Sequence, residues 1–255
     1  MYIVTTQGRR STAGATPALC YARTMDANDA AGSDACQALL SLAVHELRTP
    51  AGVVHGYLHM LQRIAPGALD ERQRRMVDEA ERSCARLVGI IAEIAEVAKL
   101  DAGTVSVARQ PLDLFELVEA AASRTAEGAD RGVRFAAAGD KAGARMTGDP
   151  ARLQDAFAAV FRALLRERVH ACSVVAHRRI DARDAARSAI IVVAAADDVE
   201  AAGAADRGPF DDRRSGLGFS LVVAARVLAA HGGRLSSPTG PLGRGAAIIE
   251  FRLPD

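Results

Sequence analysis

Residues 42–50 read Leu-Ala-Val-His-Glu-Leu-Arg-Thr-Pro and place a histidine beside a carboxylate on a predicted helix. A neutral imidazole can attack phosphorus through one ring nitrogen, provided that the other nitrogen releases or shares its proton. The adjacent Glu46 is suited to accept that proton, so we predict that His45 is a nucleophile and Glu46 its base and orienting partner. Pro50 removes one helical hydrogen bond, and we therefore expect it to bend the helix near His45 and expose the imidazole.

The sequence around this stretch predicts a helical hairpin. Apolar residues recur by alternate threes and fours, which is the spacing of an a/d heptad seam. A Pro-Gly break over residues 64–70 separates the two helices, with Asp70 as N-cap of the second helix and Gly103 as its stop. His45 is off the seam, so we expect it to face solvent. The seam comprises Leu40, Ala43, Leu47, Pro50, Val54, Tyr57 and Leu61 on the first helix, and Met76, Ala80, Ser83, Leu87, Ile90, Ile94 and Val97 on the second.

The hairpin pattern also bears on oligomeric state. Two amphipathic helices leave part of their apolar surface uncovered, whereas two copies of the hairpin could bury that surface as a four-helix bundle. We therefore predict a homodimer. The alternative is a single hairpin that packs on its own C-terminal domain.

The segment from His45 to Pro50 resembles the H-box of two-component sensor histidine kinases, where a hydrophobic residue precedes His-Glu-Leu-Arg-Thr-Pro-Leu. The match is unbroken, and the first departure is Ala51, where leucine is usual. The resemblance implies a dimerisation and histidine phosphoacceptor domain over residues 35–103, whose partner is the receiver domain of a response regulator. It also implies that Thr49 orients the water that dephosphorylates this partner.

The C-terminal part of the chain, residues 104–255, mixes predicted strands and helices. Asp149 and Pro150 suit the N-cap and first position of one helix. The order of elements resembles the ATP-binding domain of the same kinases, the Bergerat (GHKL) fold. The predicted fold class is therefore α + α/β, with a dimeric four-helix-bundle hairpin followed by a Bergerat-type α/β sandwich. We predict strands over 105–108, 132–137, 172–176, 189–195 and 246–253, and helices over 112–124, 149–168 and 216–231.

The cofactors that the resemblance implies are ATP and Mg²⁺, but the metal half of their site is not kept. Residues 149–154 resemble the start of the family's N-box, a helix that carries two asparagines. Those asparagines fall at Ala159 and Ala163 in this chain. The second normally holds Mg²⁺ on the triphosphate, and alanine has no oxygen to offer a hard cation. We therefore predict no metal ligands here.

The chain retains less of the family's adenine-binding motif than of its phosphate-binding motif. Asp197 or Asp198 could accept a hydrogen bond from the adenine amino group. The glycines that normally follow are absent, so bulkier side chains would occupy the space in which the backbone approaches the base. Gly216 and Gly218 open a helix and could present backbone N–H groups to phosphates, although Arg214 replaces the first glycine of that motif. We predict a degenerate site in which binding of ATP and Mg²⁺ is weak or absent.

Composition restricts partners and location. The formal net charge is +1, so the charge balance does not predict nucleic acid as a partner. No apolar run is long enough to span a membrane, and we predict a cytoplasmic protein with no direct membrane span. Residues 1–34 are rich in Ala, Gly, Ser, Thr and Asp, and we predict that they are disordered.

Three functions are consistent with these residues. The first is phosphoryl transfer through His45 to or from a response-regulator aspartate, with weak or lost ATP binding. The second is an ATP-dependent sensor kinase that autophosphorylates His45. The third is a non-catalytic pseudokinase scaffold that binds a regulator. Nucleotide binding separates the second function from the others, and phosphate on His45 separates the first from the third.

Overall fold

A computed structural model describes residues 40, 42–63, 69–183, 186–214 and 218–254 of the 255-residue chain. The N-terminal segment for which we predicted disorder, residues 1–34, lies outside the described residues. The described chain forms a helical hairpin followed by a mixed α/β domain. Both parts agree with the predicted fold class.

The hairpin consists of helix α1, residues 42–62, and helix α2, Glu71–Asp101. The predicted N-cap of α2 is confirmed, because the Asp70 carboxylate accepts the Gln73 backbone N–H at 2.8 Å. The Gln73 side chain in turn accepts the Asp70 N–H at 2.9 Å, which completes a capping box. Gly103 follows the helix with a φ of +64°, a left-handed conformation that glycine adopts without steric cost.

The two helices of one chain pack through a different stripe from the predicted seam. Val44 is buried against Ile91 and Ala95, and the buried Cys84 thiol donates to the Ala51 carbonyl at 3.5 Å. These residues lie between the predicted seam positions. Most large seam side chains remain solvent-exposed in the single chain, whereas Val97 is buried. Each helix therefore has one apolar stripe that closes the hairpin and a second that the chain leaves largely uncovered.

The α/β domain contains one six-stranded sheet with the order β2-β4-β5-β8-β7-β6 and a separate pair, β1-β3. Strands β2 and β4 are parallel, and the other neighbours in the large sheet are antiparallel. The elements are β1 Gln110–Asp113, α3 Leu114–Ser123, β2 Arg134–Gly139, β3 Arg145–Gly148, α4 Pro150–Arg166, β4 Ser173–Arg183, β5 Ala186–Ala195, α5 Val199–Ala204, β6 Arg207–Pro209, α6 Ser220–Ala230, β7 Gly233–Pro238 and β8 Ala247–Arg252.

Two features of the predicted element order need correction. The strand predicted over 105–108 is wrong, because the first strand is β1, which forms its ladder with β3. Strands β3, β6 and β7 were not predicted. Strands β3 and β6 contain only 4 and 3 residues, which is too short for a clear hydrophobic period, and all three strands include Gly or Pro.

The main core lies between one face of the large sheet and helices α3, α4 and α6. Phe157 and Phe161 of α4 are fully buried, and Phe157 meets Phe251 of β8 edge-on with centroids 6.4 Å apart. Helix α2 contacts α6 on the outer side of this layer. The core therefore fixes α4 and α6 as the elements on which the hairpin docks.

A buried arginine joins three elements of the α/β domain. Arg178 is 2% exposed, and its guanidinium donates to the Phe115 carbonyl at 2.9 Å and to the Ala138 carbonyl at 3.2 Å. It also pairs with Glu119 at 2.8 Å. Arg178 thus satisfies backbone acceptors of α3 and β2 from its position on β4.

An Arg178→Met variant should lower the free energy of unfolding by about 2–4 kcal/mol, because it removes the hydrogen bonds that a buried guanidinium donates to two backbone carbonyls. Urea denaturation of the full chain measures this change. The matched control is Glu119→Gln, which removes only the exposed partner and should cost less than about 1 kcal/mol. Equal losses in the two variants would show that the ion pair, rather than the carbonyl contacts, stabilises this site.

Candidate functional site

The structure places His45 on the solvent-exposed side of α1. The neighbouring Val44 is buried against α2, so packing on one side of the helix anchors the turn that presents the imidazole. Glu46, Thr49 and Pro50 are also exposed, and α1 remains helical through Pro50. Within the described residues, no hydrogen bond joins His45 to Glu46. Catalytic contacts of this kind often form only when the reacting group binds.

The register of the hairpin determines which part of α2 lies beside His45. Val44 packs beside Ile91 and Ala95, while Ala51, further along α1, lies beside Cys84. His45 is therefore level with the C-terminal third of α2. This part of α2 also contacts the α/β domain.

Two of the other described histidines have a partner on at least one ring nitrogen. His55 of α1 lies 3.4 Å from Glu81 across the hairpin. Nε2 of His231 accepts the Asp149 backbone N–H at 3.0 Å, so Nδ1 must carry the proton that faces the Val227 carbonyl at 2.7 Å. His231 therefore joins the end of α6 to the start of α4, and its role is structural.

A cleft of about 390 Å³ opens between α2, α4 and α6. Its apolar wall includes Ala156, Ala159 and Val227, and its rim includes Glu93 and Arg152. Ala159, one of the two alanines at the N-box asparagine positions, therefore faces the cleft. The other, Ala163, is fully buried in the core and does not line the cleft.

The residues present do not fit a bound Mg²⁺. Neither alanine offers an oxygen ligand, and no group of three or more His, Cys, Asp or Glu side chains in the described part of the chain could hold a metal ion.

The candidate nucleotide residues do not converge on this cleft. Asp197 and Asp198 lie in the 3₁₀ turn that follows β5, and neither lines the cleft. Gly218 precedes α6 with a φ of +63°, and Gly216 lies outside the described residues. Asp197, Asp198 and Gly218 are therefore not among the residues that line this cleft.

Sequence reasoning missed the polar contacts by which α2 holds the α/β domain. Three acidic side chains of α2 each reach a partner there: Glu93 accepts from Ser220, Glu96 pairs with Arg152, and Asp101 pairs with Arg226 at 3.2 Å. Charged residues on a helix usually mark a solvated face, so the sequence pattern does not predict these contacts.

Arg214 has acquired a structural role in place of the missing glycine. Its side chain is 7% exposed and forms a two-pronged ion pair with Glu167 at the end of α4. The guanidinium also lies 5.2 Å from the centre of the Phe210 ring. These contacts fasten the segment before α6 to α4.

An exposed histidine on a helical hairpin, followed by a mixed α/β domain, is the arrangement that was compared with known proteins. Residues 37–103 match the family model described as His Kinase A (phospho-acceptor) domain. The sensor histidine kinase GacS of Pseudomonas protegens is 35% identical over 75 residues, which are 29% of this chain and 8% of that protein. The hybrid signal transduction protein dokA of Dictyostelium discoideum is 32% identical over 87 residues, or 34% of this chain and 5% of that protein.

Solved structures share the arrangement of the two parts. Full-length ShkA, crystallised in complex with AMPPNP, has a TM-score of 0.63 at 21% identity, over 85% of this chain and 46% of that one. The histidine kinase ThkA, crystallised with the response regulator protein TrrA, has a TM-score of 0.50 at 15% identity, over 85% and 61%. At these identities the likeness is one of fold.

The domain match over residues 37–103 and the curated relatives show similarity to two-component sensor histidine kinases, and the solved structures extend that similarity to the fold of the α/β domain. The aligned regions cover less than a tenth of the length of these curated relatives. Among the described helices, none combines the length and apolar character that crossing a membrane requires.

Proposed function

We propose that the chain transfers a phosphoryl group through His45 to or from an aspartate in the receiver domain of a response regulator. The observation that carries this proposal is the exposed His45 on a packed helix, beside Glu46. In the forward step, one imidazole nitrogen of His45 attacks the phosphorus of the partner's aspartyl phosphate. The P–O bond to the aspartate breaks, the carboxylate leaves, and Glu46 accepts the proton from the other ring nitrogen. Thr49, on the same exposed turn, would orient water for dephosphorylation of the partner.

Weak nucleotide binding is part of this proposal. Phosphoryl transfer from ATP depends on a positioned divalent ion, and the cleft presents Ala159 where the family has an asparagine. Asp197 and Asp198 do not line this cleft. The proposed domain organisation is an N-terminal segment over residues 1–34, a phosphoacceptor hairpin over residues 35–103 and a degenerate ATPase-like domain over residues 104–255.

An active autokinase is the second candidate function. The similarity to sensor histidine kinases and the left-handed Gly218 before α6 favour it, because such a glycine lets the backbone approach phosphates closely. It requires that residues other than Ala159 and Ala163 hold the metal. The scaffold function does not require His45 to be phosphorylated.

Label transfer tests the proposal. The full chain is incubated with ³²P-phosphorylated receiver domains from the same genome and, in parallel, with labelled ATP and Mg²⁺. We expect label on the chain from one or more receivers and none from ATP. Label from ATP would favour the autokinase, and no label from either donor would favour the scaffold.

The wild-type chain should bind Mg-ATP with a dissociation constant above about 100 μM, because it lacks an oxygen ligand for the metal. Isothermal calorimetry measures this value. The matched variant is Ala159→Asn, which places an amide in the cleft at the first of the two N-box positions and should tighten binding through added polar contacts, although the metal position is Ala163. Micromolar affinity in the wild type would contradict the degenerate site, and Asp197, Asp198 and Gly218 would then be the first residues to substitute.

A further inference from the structure

The connection between the hairpin and the α/β domain has the features of a hinge. Helix α2 ends at Asp101, and Gly103 follows with a φ of +64°. Residues 104–109 form neither helix nor strand, and most of residues 102–109 are exposed. Hinges are usually a few residues at the end of an element that absorb a change in backbone angles. Contacts that cross this connection therefore determine how firmly the hairpin is held against the α/β domain.

Arg226 of α6 forms such a contact and also binds a second segment. Its Nε donates to Asp101, the last residue of α2, at 3.2 Å. Its Nη1 donates at 3.2 Å to Asp212, which lies in the pre-α6 segment, residues 210–214. A guanidinium is planar and its N–H groups point in fixed directions, so two carboxylates on two of these groups hold it in one orientation. One side chain therefore links the end of the hairpin to the pre-α6 segment.

The two halves of the pre-α6 segment are held in different ways. Arg214, at its C-terminal end, is 7% exposed and pairs with Glu167 at the end of α4, so this anchor lies wholly within the α/β domain. Asp212, in the middle of the segment, is held by Arg226, which is 37% exposed and which the hairpin also contacts. The conformation of the middle of the segment therefore depends on a side chain that the hairpin helps to order.

We propose that Arg226 couples docking of the hairpin to the conformation of the pre-α6 segment. While the hairpin is docked, Asp101 orients the guanidinium, and Asp212 binds a partner that is already ordered. When the hairpin moves away, Arg226 loses this orienting contact. A pair between one carboxylate and a partly exposed, mobile arginine contributes little, because both side chains lose rotamer freedom on pairing. The pre-α6 segment then opens more often.

The coupling acts in both directions. If undocking of the hairpin favours opening of the pre-α6 segment, opening of the segment must weaken docking by the same free energy. A ligand or partner that moves either element would therefore change the other. This relation goes beyond the proposed phosphoryl transfer and does not depend on which donor phosphorylates His45.

Amide hydrogen exchange of the full chain, followed by mass spectrometry, tests this coupling. Peptides that cover residues 210–214 and 102–109 report how often each segment opens, after correction for intrinsic exchange rates. The variants are Asp101→Asn, Asp212→Asn and the two combined. The matched control is Glu79→Gln, which removes a carboxylate from an exposed ion pair of α2 whose partner, Arg82, belongs to the same helix.

We expect Asp101→Asn to raise the exchange rate of the pre-α6 segment about threefold, and Asp212→Asn to raise that of residues 102–109 by a similar factor. In the pre-α6 segment the double variant should exchange no faster than Asp212→Asn, because Asp101 acts there through the contact between Arg226 and Asp212. Glu79→Gln should leave both segments at the wild-type rate.

Arg226→Gln should raise exchange in both segments at once, which keeps the test decisive if Asp101→Asn alters the end of α2. Unchanged exchange of the pre-α6 segment in Asp101→Asn and Arg226→Gln would overturn the coupling. Effects of the two single variants that multiply in the double variant would also overturn it, because they would show that Asp101 and Asp212 act independently. Exchange rates decide this inference, whereas label transfer to His45 decides the proposed function.

Discussion

A His45→Ala variant is expected to take up no phosphate from any donor while it keeps its fold. The imidazole is exposed, and the packing of this turn depends on the neighbouring Val44, so the truncation removes the nucleophile and little else. Loss of a nucleophile that forms the covalent intermediate should abolish transfer completely. Acid-labile phosphate on the chain, counted after incubation with a phosphorylated receiver domain, measures the effect.

The control is His59→Ala, because His59 is another exposed histidine of the same helix. It should accept phosphate at the wild-type rate. If His45→Ala still accepts phosphate, or if it unfolds the hairpin, His45 is a packed helix residue and the central assignment is wrong.

A Leu47→Asp variant is expected to convert a homodimer into a monomer. Leu47 is 54% exposed in the single chain, and its seam neighbours Tyr57 and Leu87 are 63% and 57% exposed. A second copy of the hairpin would cover this stripe, and an unpaired carboxylate buried there costs several kcal/mol. Ile90→Asp on α2 should act in the same way. Sedimentation velocity of the full chain at micromolar concentration measures both effects.

Leu42→Asp provides the comparison for the dimer interface. Leu42 is 58% exposed but lies outside the predicted a/d positions, so this variant should remain dimeric. A monomeric wild type would favour the alternative in which a single hairpin packs on its own C-terminal domain. Dissociation by Leu42→Asp would show that the interface lies on another face of α1.

Local signals in the sequence predicted helix boundaries well. Asp70 and Asp149 are each followed by a helix whose first turn donates to the aspartate side chain. A helix cap depends on residues within one turn, so a short stretch of sequence is enough to predict it. Strand β3 escaped prediction because it has only 4 residues and forms by pairing with β1, more than 30 residues earlier.

Contacts between distant elements could not be predicted. The heptad pattern identified one apolar stripe on each helix, but the stripe that closes the hairpin, around Val44 and Ile91, depends on how α1 and α2 rotate against each other. Glu93 and Glu96 had no pattern that distinguished them from solvated helix residues. Their partners became apparent only when the fold placed α4 and α6 beside α2.

The site was predictable to the extent that its chemistry is local. His45, Glu46 and Thr49 lie within two turns of one helix, and their shared exposure follows from that helix. The candidate nucleotide-binding residues come from separate loops. Their spacing along the chain therefore could not show that Ala159 lines the cleft while Asp197 and Asp198 do not.

Mapping the phosphorylated residue tests whether His45 is the phosphoacceptor. The wild-type chain is incubated with a phosphorylated receiver domain, digested at neutral pH and analysed by mass spectrometry for phosphohistidine. We predict that the phosphoryl group lies on His45 and on none of the other histidines. Phosphate on any other residue, or a chain that stays unmodified beside receivers that transfer to other histidine proteins, would contradict the account.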